Sequence, residues 1–370
     1  MTRLASVFVR ADASWSIGIG HIRRCAILAA ELLRRGMKVV LVTRTGPEGI
    51  SVDLGWPGAI VRIDEQFPDH VDGEQSDAEQ TCSIIEQSGA GQSWIIVDGE
   101  RFGPRWESCV RRAGHRVMAF DDSQTGRHCA DIVVSDSEGL SDDAPLAISD
   151  IPRKLYGRQY AIVDERFQPD SNITASTLSE MRAILVTYGG SDPTGETLKA
   201  IHAMKLVYRS PELQRRIKHV AVVVGPLNHC AESIVAEAGN AQSIRVYHAP
   251  ACLAAHMAAA DIVLTAGGNS LIEALAMCKP CLATVTAENQ QHTVSGLVRE
   301  NAVRCLGWHR EVTAEQIADA ISDLLEHYDE RAQLLTEKPF YDHHGATRIA
   351  DAIVSCSAGA VVRCAATSGV

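Results

Sequence analysis

Twice along this chain of 370 residues the same local pattern recurs: a short apolar run, a glycine-bearing turn, then apolar residues at helical spacing. In the first half Ser6–Arg10 reads as a strand, Ala11–Gly20 as a loop and His21–Arg35 as a helix ended by Gly36. Ile22, Cys25, Ala26, Leu28, Ala29, Leu32 and Leu33 give that helix its buried stripe. Val39–Thr43, Trp94–Asp98, Val117–Phe120 and Ile132–Val134 read as further strands. In the second half Ala183–Thr187, His219–Val224, Ser243–Tyr247, Ile262–Thr265 and Cys281–Val285 repeat the theme, and Thr313-Ala-Glu-Gln316 predicts a capped helix over Thr313–Tyr328. Strands that are apolar throughout, without polar alternation, are buried on both faces, which requires a parallel sheet covered by helices. The expected fold is α/β: two doubly wound, Rossmann-like domains facing a central cleft, with ligands beyond the carboxyl ends of the strands. The expected boundaries are 1–165, a polar linker at 166–180 around Gln168-Pro-Asp-Ser-Asn172, 181–355, and a flexible tail at 356–370.

Composition narrows the function classes. The length suits two or three domains, and 46% hydrophobic with 22% charged residues excludes a disordered or low-complexity chain. Thirty-five Lys and Arg against 46 Asp and Glu give a formal charge of −11, the wrong sign for a protein that grips nucleic-acid backbones. Eleven scattered cysteines do not form a secreted disulfide framework. The pair Cys278-Lys-Pro-Cys281 has no second pair to complete a zinc site, so it reads as two small apolar residues at a helix-to-strand junction. No apolar stretch of signal-peptide or membrane-span length stands out. The expectation is a reduced, cytoplasmic protein without nucleic-acid or membrane partners, a monomer or weak dimer.

Chemistry concentrates at turns that follow strands. Gly18 and Gly20 let the backbone approach a ligand closely, and the helix opening at His21 offers unpaired N–H groups and a partial positive charge. Arg23 stands where a dinucleotide fingerprint needs its third glycine, which excludes NAD. His21, expected to stay neutral at the helix start, suits a general base, with Asp12 and Arg10 nearby. Gly189-Gly190-Ser191 and Gly268-Asn269-Ser270 are two backbone nests at helix starts that fit a diphosphate, though neither is a P-loop. Glu273, one turn inside the second helix, is placed to accept both ribose hydroxyls, and Asn289 and Gln290 to close the site with amides. Asp98, and the adjacent Asp121 and Asp122, end strands; side chains of adjacent residues in an extended chain point opposite ways, which favours loop-capping or substrate hydroxyl binding over a shared metal. His128, Cys129 and Asp131 follow shortly after.

With these motifs in view the chain resembles the UDP-2,4-diacetamido-2,4,6-trideoxy-β-L-altropyranose hydrolases of pseudaminic acid biosynthesis, members of the GT-B superfamily. The resemblance runs over nearly the whole chain. Its most specific part is Val9-Arg-Ala-Asp-Ala-Ser-Trp-Ser-Ile-Gly-Ile-Gly-His-Ile-Arg-Arg24, with Phe120-Asp-Asp122, Gly157–Phe167, Tyr188–Asp192, Ala266–Glu273, Asn289-Gln290 and Gly345–Ile349 in support. It implies a GT-B fold and a UDP-sugar substrate, an amino sugar by analogy. It also implies no cofactor and no metal. His21, with Asp12, would activate water to displace UDP with inversion. Arg10, Gly18, Gly20, Arg24, Asp98, Glu100 and Asp122 would face the sugar. Gly189, Gly190, Ser191, Gly268, Asn269, Ser270, Glu273, Asn289 and Gln290 would hold the nucleotide, with the uracil against backbone near Leu253. Glu100 stands where members carry Tyr, which points to contact with a different hydroxyl or amine, or to orienting the water. The alternatives are a GT-B glycosyltransferase with a small acceptor and a nucleotide-sugar binding module without turnover.

Overall fold

The computed structural model describes residues 6–44, 55–63, 71–122, 127–137, 153–169, 181–239 and 243–366. The chain divides into two compact units: one takes the residues up to Asp12, His21–Ile162 and the segment from His344 on; the other takes Ala13–Gly20 and Val163–His343. The first holds seven strands: β1 (Ser6–Ala11), β2 (Lys38–Thr43), β3 (Ala59–Arg62), β4 (Trp94–Asp98), β5 (Arg116–Phe120), β6 (Ile132–Ser135) and β7 (Arg153–Tyr156). The second holds six: β8 (Arg182–Thr187), β9 (Ile217–Val224), β10 (Ile244–His248), β11 (Ile262–Ala266), β12 (Cys281–Val285) and β13 (Arg304–Trp308).

Both sheets are parallel, ordered β3-β2-β1-β4-β5-β6-β7 and β10-β9-β8-β11-β12-β13. The order reverses between β1 and β4 in one sheet and between β8 and β11 in the other. At such a switch point the loops leave in opposite directions and open a crevice at the carboxyl ends of the strands. Those ends carry Asp12 and Asp98 in the first unit, and the turns after Thr187 and Ala266 in the second. The doubly wound architecture expected of the apolar strands is therefore present in each unit. Phe8, Ile95, Trp106 and Val117 anchor one core, and Ile184, Ile201, Leu264 and Ile321 the other.

Sequence reading missed β3, β7 and β13, and all three are sheet edges. An edge strand has one neighbour and exposed positions, as on β3, so it carries no continuous apolar run. The predicted capping box is present: Thr313 Oγ1 accepts from Gln316 N–H at 3.2 Å, and Gln316 Oε1 from Thr313 N–H at 2.9 Å.

The C-terminal expectation needs correction. A helix spans Gly345–Ala366 where a domain end and a tail from 356 were expected, and 367–370 lie outside the described residues. Ile349, Ala350, Ala352 and Ile353 are buried. Trp94 Nε1 donates to Ser357 Oγ at 2.8 Å and Arg116 Nη1 to the Cys356 carbonyl at 2.7 Å, which ties this helix to the first unit. A small-residue stretch reads as a tail in sequence because its partners lie far along the chain, 203 positions away for Arg153 and 240 for Arg116. The expected linker lies outside the described residues except at its start, where Phe167 is buried.

Candidate functional site

The helix Gly20–Arg34 places His21, Arg24 and Cys25 three and four positions apart, on one face, and all three reach Asp98 at the end of β4. His21 Nδ1 lies 2.7 Å from Asp98 Oδ1. Arg24 Nε donates to Asp98 Oδ2 at 2.7 Å, and Cys25 Sγ to the same oxygen at 3.3 Å. The Arg24 guanidinium also grips Asp122 at 2.8 and 2.7 Å and lies 4.3 Å from the centre of the Phe120 ring. Asp98 is buried and ionised. Burial alone would raise its pKa, but Arg24 and then His21 hold it well below the usual carboxylate range. An ionised carboxylate only accepts, so His21 carries its proton on Nδ1 and, when neutral, presents Nε2 as the basic nitrogen.

This corrects the expectation that the helix start keeps His21 neutral. Burial pushes its pKa down, but the Asp98 carboxylate outweighs burial and the net shift is upward. His21 is a stronger base than a free imidazole, with 13% of its side chain exposed.

The pair opens on a cavity of about 250 Å³ within the first unit, lined among others by His21, Asp98, Glu100, Phe120, Asp122 and His128. Glu100 is exposed at this cavity, where the sequence placed it. Asp121 and Asp122 do point apart: Asp122 meets Arg24, while Asp121 is buried 3.5 Å from His128 Nε2. His21, Asp98 and Asp122 bring ligand atoms within 4.8 Å of one another. The Arg24 guanidinium already bridges both carboxylates, so a divalent ion would have to displace a matched cation.

Arg10 and Asp12 stand elsewhere than expected. Arg10 is fully buried and forms ion pairs with Asp12 at 2.6 Å and Asp77 at 2.7 Å, leaving no face for substrate. Asp12 accepts from Arg10, from Thr43 Oγ1 at 3.1 Å and from Arg44 N–H at 2.7 Å. The carboxylate that holds His21 is Asp98 instead. Asp77, which also accepts from Trp106 Nε1 at 2.9 Å, was not foreseen, because one acidic residue among several on the polar helix Val71–Gln87 has no distinguishing local signal.

In the second unit the two glycine turns come together at the switch point. Gly189 has φ +80°, and a Cβ on Gly190 would lie 2.6 Å from Ile19. Gly225, also unforeseen, passes so close beneath that a Cβ there would meet the Gly189 and Gly190 carbonyl oxygens at 2.4 and 2.3 Å. Gly18 and Gly20 belong to this unit through the loop Ala13–Gly20. Asn269 Nδ2 donates to the Gly20 carbonyl at 3.2 Å, so that amide holds a loop. Asp192 caps the next helix by accepting from Glu196 and Thr197 N–H, and Ser191 is buried beside it. Gly268 precedes the helix Asn269–Ala276, which carries Ser270 and Glu273, both half-buried. Gln290 Oε1 accepts from Thr286 N–H at 2.9 Å, while the buried Asn289 Oδ1 has no partner among the described residues. Leu253 opens the short helix Leu253–Ala258. Among the described residues no helix is long and apolar enough to cross a membrane.

No family model matches the chain. It is 27% identical over 348 residues to the spore coat polysaccharide biosynthesis protein SpsG of Bacillus subtilis (strain 168), covering 93% of this chain and 96% of that protein. It superposes on MurG of Acinetobacter baumannii with a TM-score of 0.64 at 13% identity, over 95% of this chain and 99% of that one. S. aureus MnaA, solved with UDP, gives a TM-score of 0.64 at 11% identity over 95% and 96%. The fold is GT-B, and the whole-chain likeness to SpsG parallels the resemblance read from the sequence.

Proposed function

We propose that this GT-B protein hydrolyses a UDP-sugar, with His21 as the base. The observation that carries this is the His21–Asp98 contact at 2.7 Å, which leaves Nε2 of the neutral ring available to accept a proton and so supports His21 as the base, beside a cavity of sugar dimensions. Nε2 takes a proton from water as the water oxygen bonds to the anomeric carbon. The bond from that carbon to the UDP oxygen breaks, and its electron pair leaves with UDP. Attack opposite to the leaving group inverts the centre. UDP is a good leaving group, so one positioned base and a diphosphate held by backbone N–H groups suffice. In this reading the Gly189–Gly190 turn, Gly268 and Ser270 hold the diphosphate, Glu273 the ribose, and Glu100 and Asp122 the sugar. The GT-B fold and its UDP-bound neighbour support a nucleotide-sugar enzyme; hydrolysis rather than transfer rests on the resemblance and on His21. The pseudaminic-type amino sugar is the substrate class that the resemblance favours.

The test is UDP release from UDP-amino sugars in water, with and without candidate acceptors. Wild type should release UDP and free inverted sugar without an acceptor, with or without EDTA, and His21→Ala should lose about 10²- to 10⁴-fold in kcat. Turnover only with an acceptor would make it a transferase. Equal rates in His21→Ala would end the assignment of the base.

A further inference from the structure

A second histidine lines the same cavity, and nothing in the proposed reaction uses it. His128 has 6% of its side chain exposed. Its Nδ1 lies 2.6 Å from Glu107 Oε1, on a carboxylate that is fully buried and also accepts from Cys129 N–H. Its Nε2 is buried and makes no hydrogen bond among the described residues; Asp121 Oδ2 is 3.5 Å away. Burial would lower the pKa of this ring, but Asp121 and Glu107 outweigh burial and raise it to about 9. At neutral pH both ring nitrogens therefore carry protons, and the Nε2–H meets the Asp121 carboxylate only at 3.5 Å, longer than a good hydrogen bond. A buried donor held only by so long a contact is incompletely satisfied, and placing one at the wall of a polar cavity makes sense when a ligand oxygen completes it. Phe102, Phe120 and Pro104 line the same space and offer apolar faces to the C–H side of a ring, while Glu100 and Asp122 offer acceptors for hydroxyls.

We propose that His128 is a substrate-binding residue: Glu107 fixes the ring through Nδ1, and Nε2–H donates to an oxygen of the sugar, a hydroxyl or an acylamino carbonyl. This deepens the reading of the protein as a nucleotide-sugar enzyme and rests on it. The prediction is specific to the sugar, because in the proposed function the diphosphate and ribose of UDP are held by the Gly189–Gly190 turn, Ser270 and Glu273 rather than in this cavity.

Two substitutions separate binding from structure. In His128→Asn the side-chain nitrogen occupies the place of Nδ1 and keeps Glu107 company, while the cavity donor is gone. In His128→Gln the nitrogen reaches the place of Nε2 and the Glu107 contact is lost. Binding of UDP and of UDP-N-acetylglucosamine is measured by titration calorimetry, alongside KM, kcat and thermal unfolding. In His128→Asn, affinity for UDP-N-acetylglucosamine should fall about 10- to 100-fold, as for a hydrogen bond from a charged donor. UDP affinity should stay at the wild-type value, and KM should rise far more than kcat falls. His128→Gln should retain most of the sugar affinity and lose more thermal stability. Wild-type affinity for the UDP-sugar in His128→Asn, or Gln weaker than Asn in sugar binding, overturns the proposal. A wild type that binds UDP-N-acetylglucosamine no tighter than UDP also overturns it. A wild type that binds the sugar through His128 but releases no UDP in water refutes hydrolysis and leaves this site standing.

Discussion

Replacing Asp98 by Asn removes a charge and almost no volume, at the one carboxylate that touches His21, Arg24 and Cys25 together. Losing one partner of a buried, hydrogen-bonded ion pair costs about 3–5 kcal/mol. Asn keeps an acceptor, and Arg24 keeps Asp122, so about 3 kcal/mol is expected. At about 2–4 °C per kcal/mol for units of this size, the first unit should melt about 6–12 °C lower. The folded pKa of Asp98 is depressed, so its contribution is present above the ordinary carboxylate range and lost as pH falls; the variant should lack that part of acid denaturation. Catalysis should suffer separately. An amide can donate to Nδ1 as well as accept from it, which frees the ring to adopt the wrong tautomer, and the rate should fall about 10³-fold, within the range for a general base. In wild type kcat/KM should rise with pH through the elevated pKa of His21, because the base must be neutral. Without the Asp98 charge burial dominates, and that limb should move to lower pH. The assay is the pH profile of UDP release, with thermal melts in parallel. A variant with the wild-type plateau and an unmoved acid limb would refute the pairing as the source of His21's basicity.

Arg10→Met should cost about 3 kcal/mol, the low end for breaking a buried ion pair because Asp77 keeps Arg44 and Arg101 and Asp12 keeps Arg101, while the UDP-induced rise in melting temperature survives; loss of UDP binding at unchanged stability would place Arg10 at substrate after all. Gly225→Ala puts a Cβ 2.3 Å from the Gly190 carbonyl, so the glycine turn must move, and UDP should no longer raise the melting temperature; a wild-type response would show that the turn tolerates the shift. Glu273→Ala should abolish most of the UDP response with little change in unliganded stability, and an unchanged response would remove Glu273 from the ribose.

How much was legible in the sequence follows from how local each signal is. Trp94–Asp98 and Cys281–Val285 were readable to the residue because central strands are buried on both faces and are almost wholly apolar. The helix after Gly20 and the box at Thr313 were readable because their determinants lie within four positions. Edge strands such as Ala59–Arg62, and the helix Gly345–Ala366, were not, since one owes its form to a single neighbouring strand and the other to residues across the chain.

The site divides the same way. The sequence by itself determined that two parallel sheets form, that glycine turns at their ends offer backbone N–H groups, and that His21 opens a helix. It could not determine which carboxylate serves that histidine. Asp12 is nine residues away and looked the natural partner, yet Arg10 and Arg44 claim it, and Asp98, 77 residues distant, takes its place. The same holds for Asp77 beneath Arg10 and Glu107 behind His128. Sheet order decides the His21–Asp98 pairing: β4 lies beside β1, so the end of one strand faces the helix that follows the other. A charge buried there is stable only where that arrangement brings it a partner.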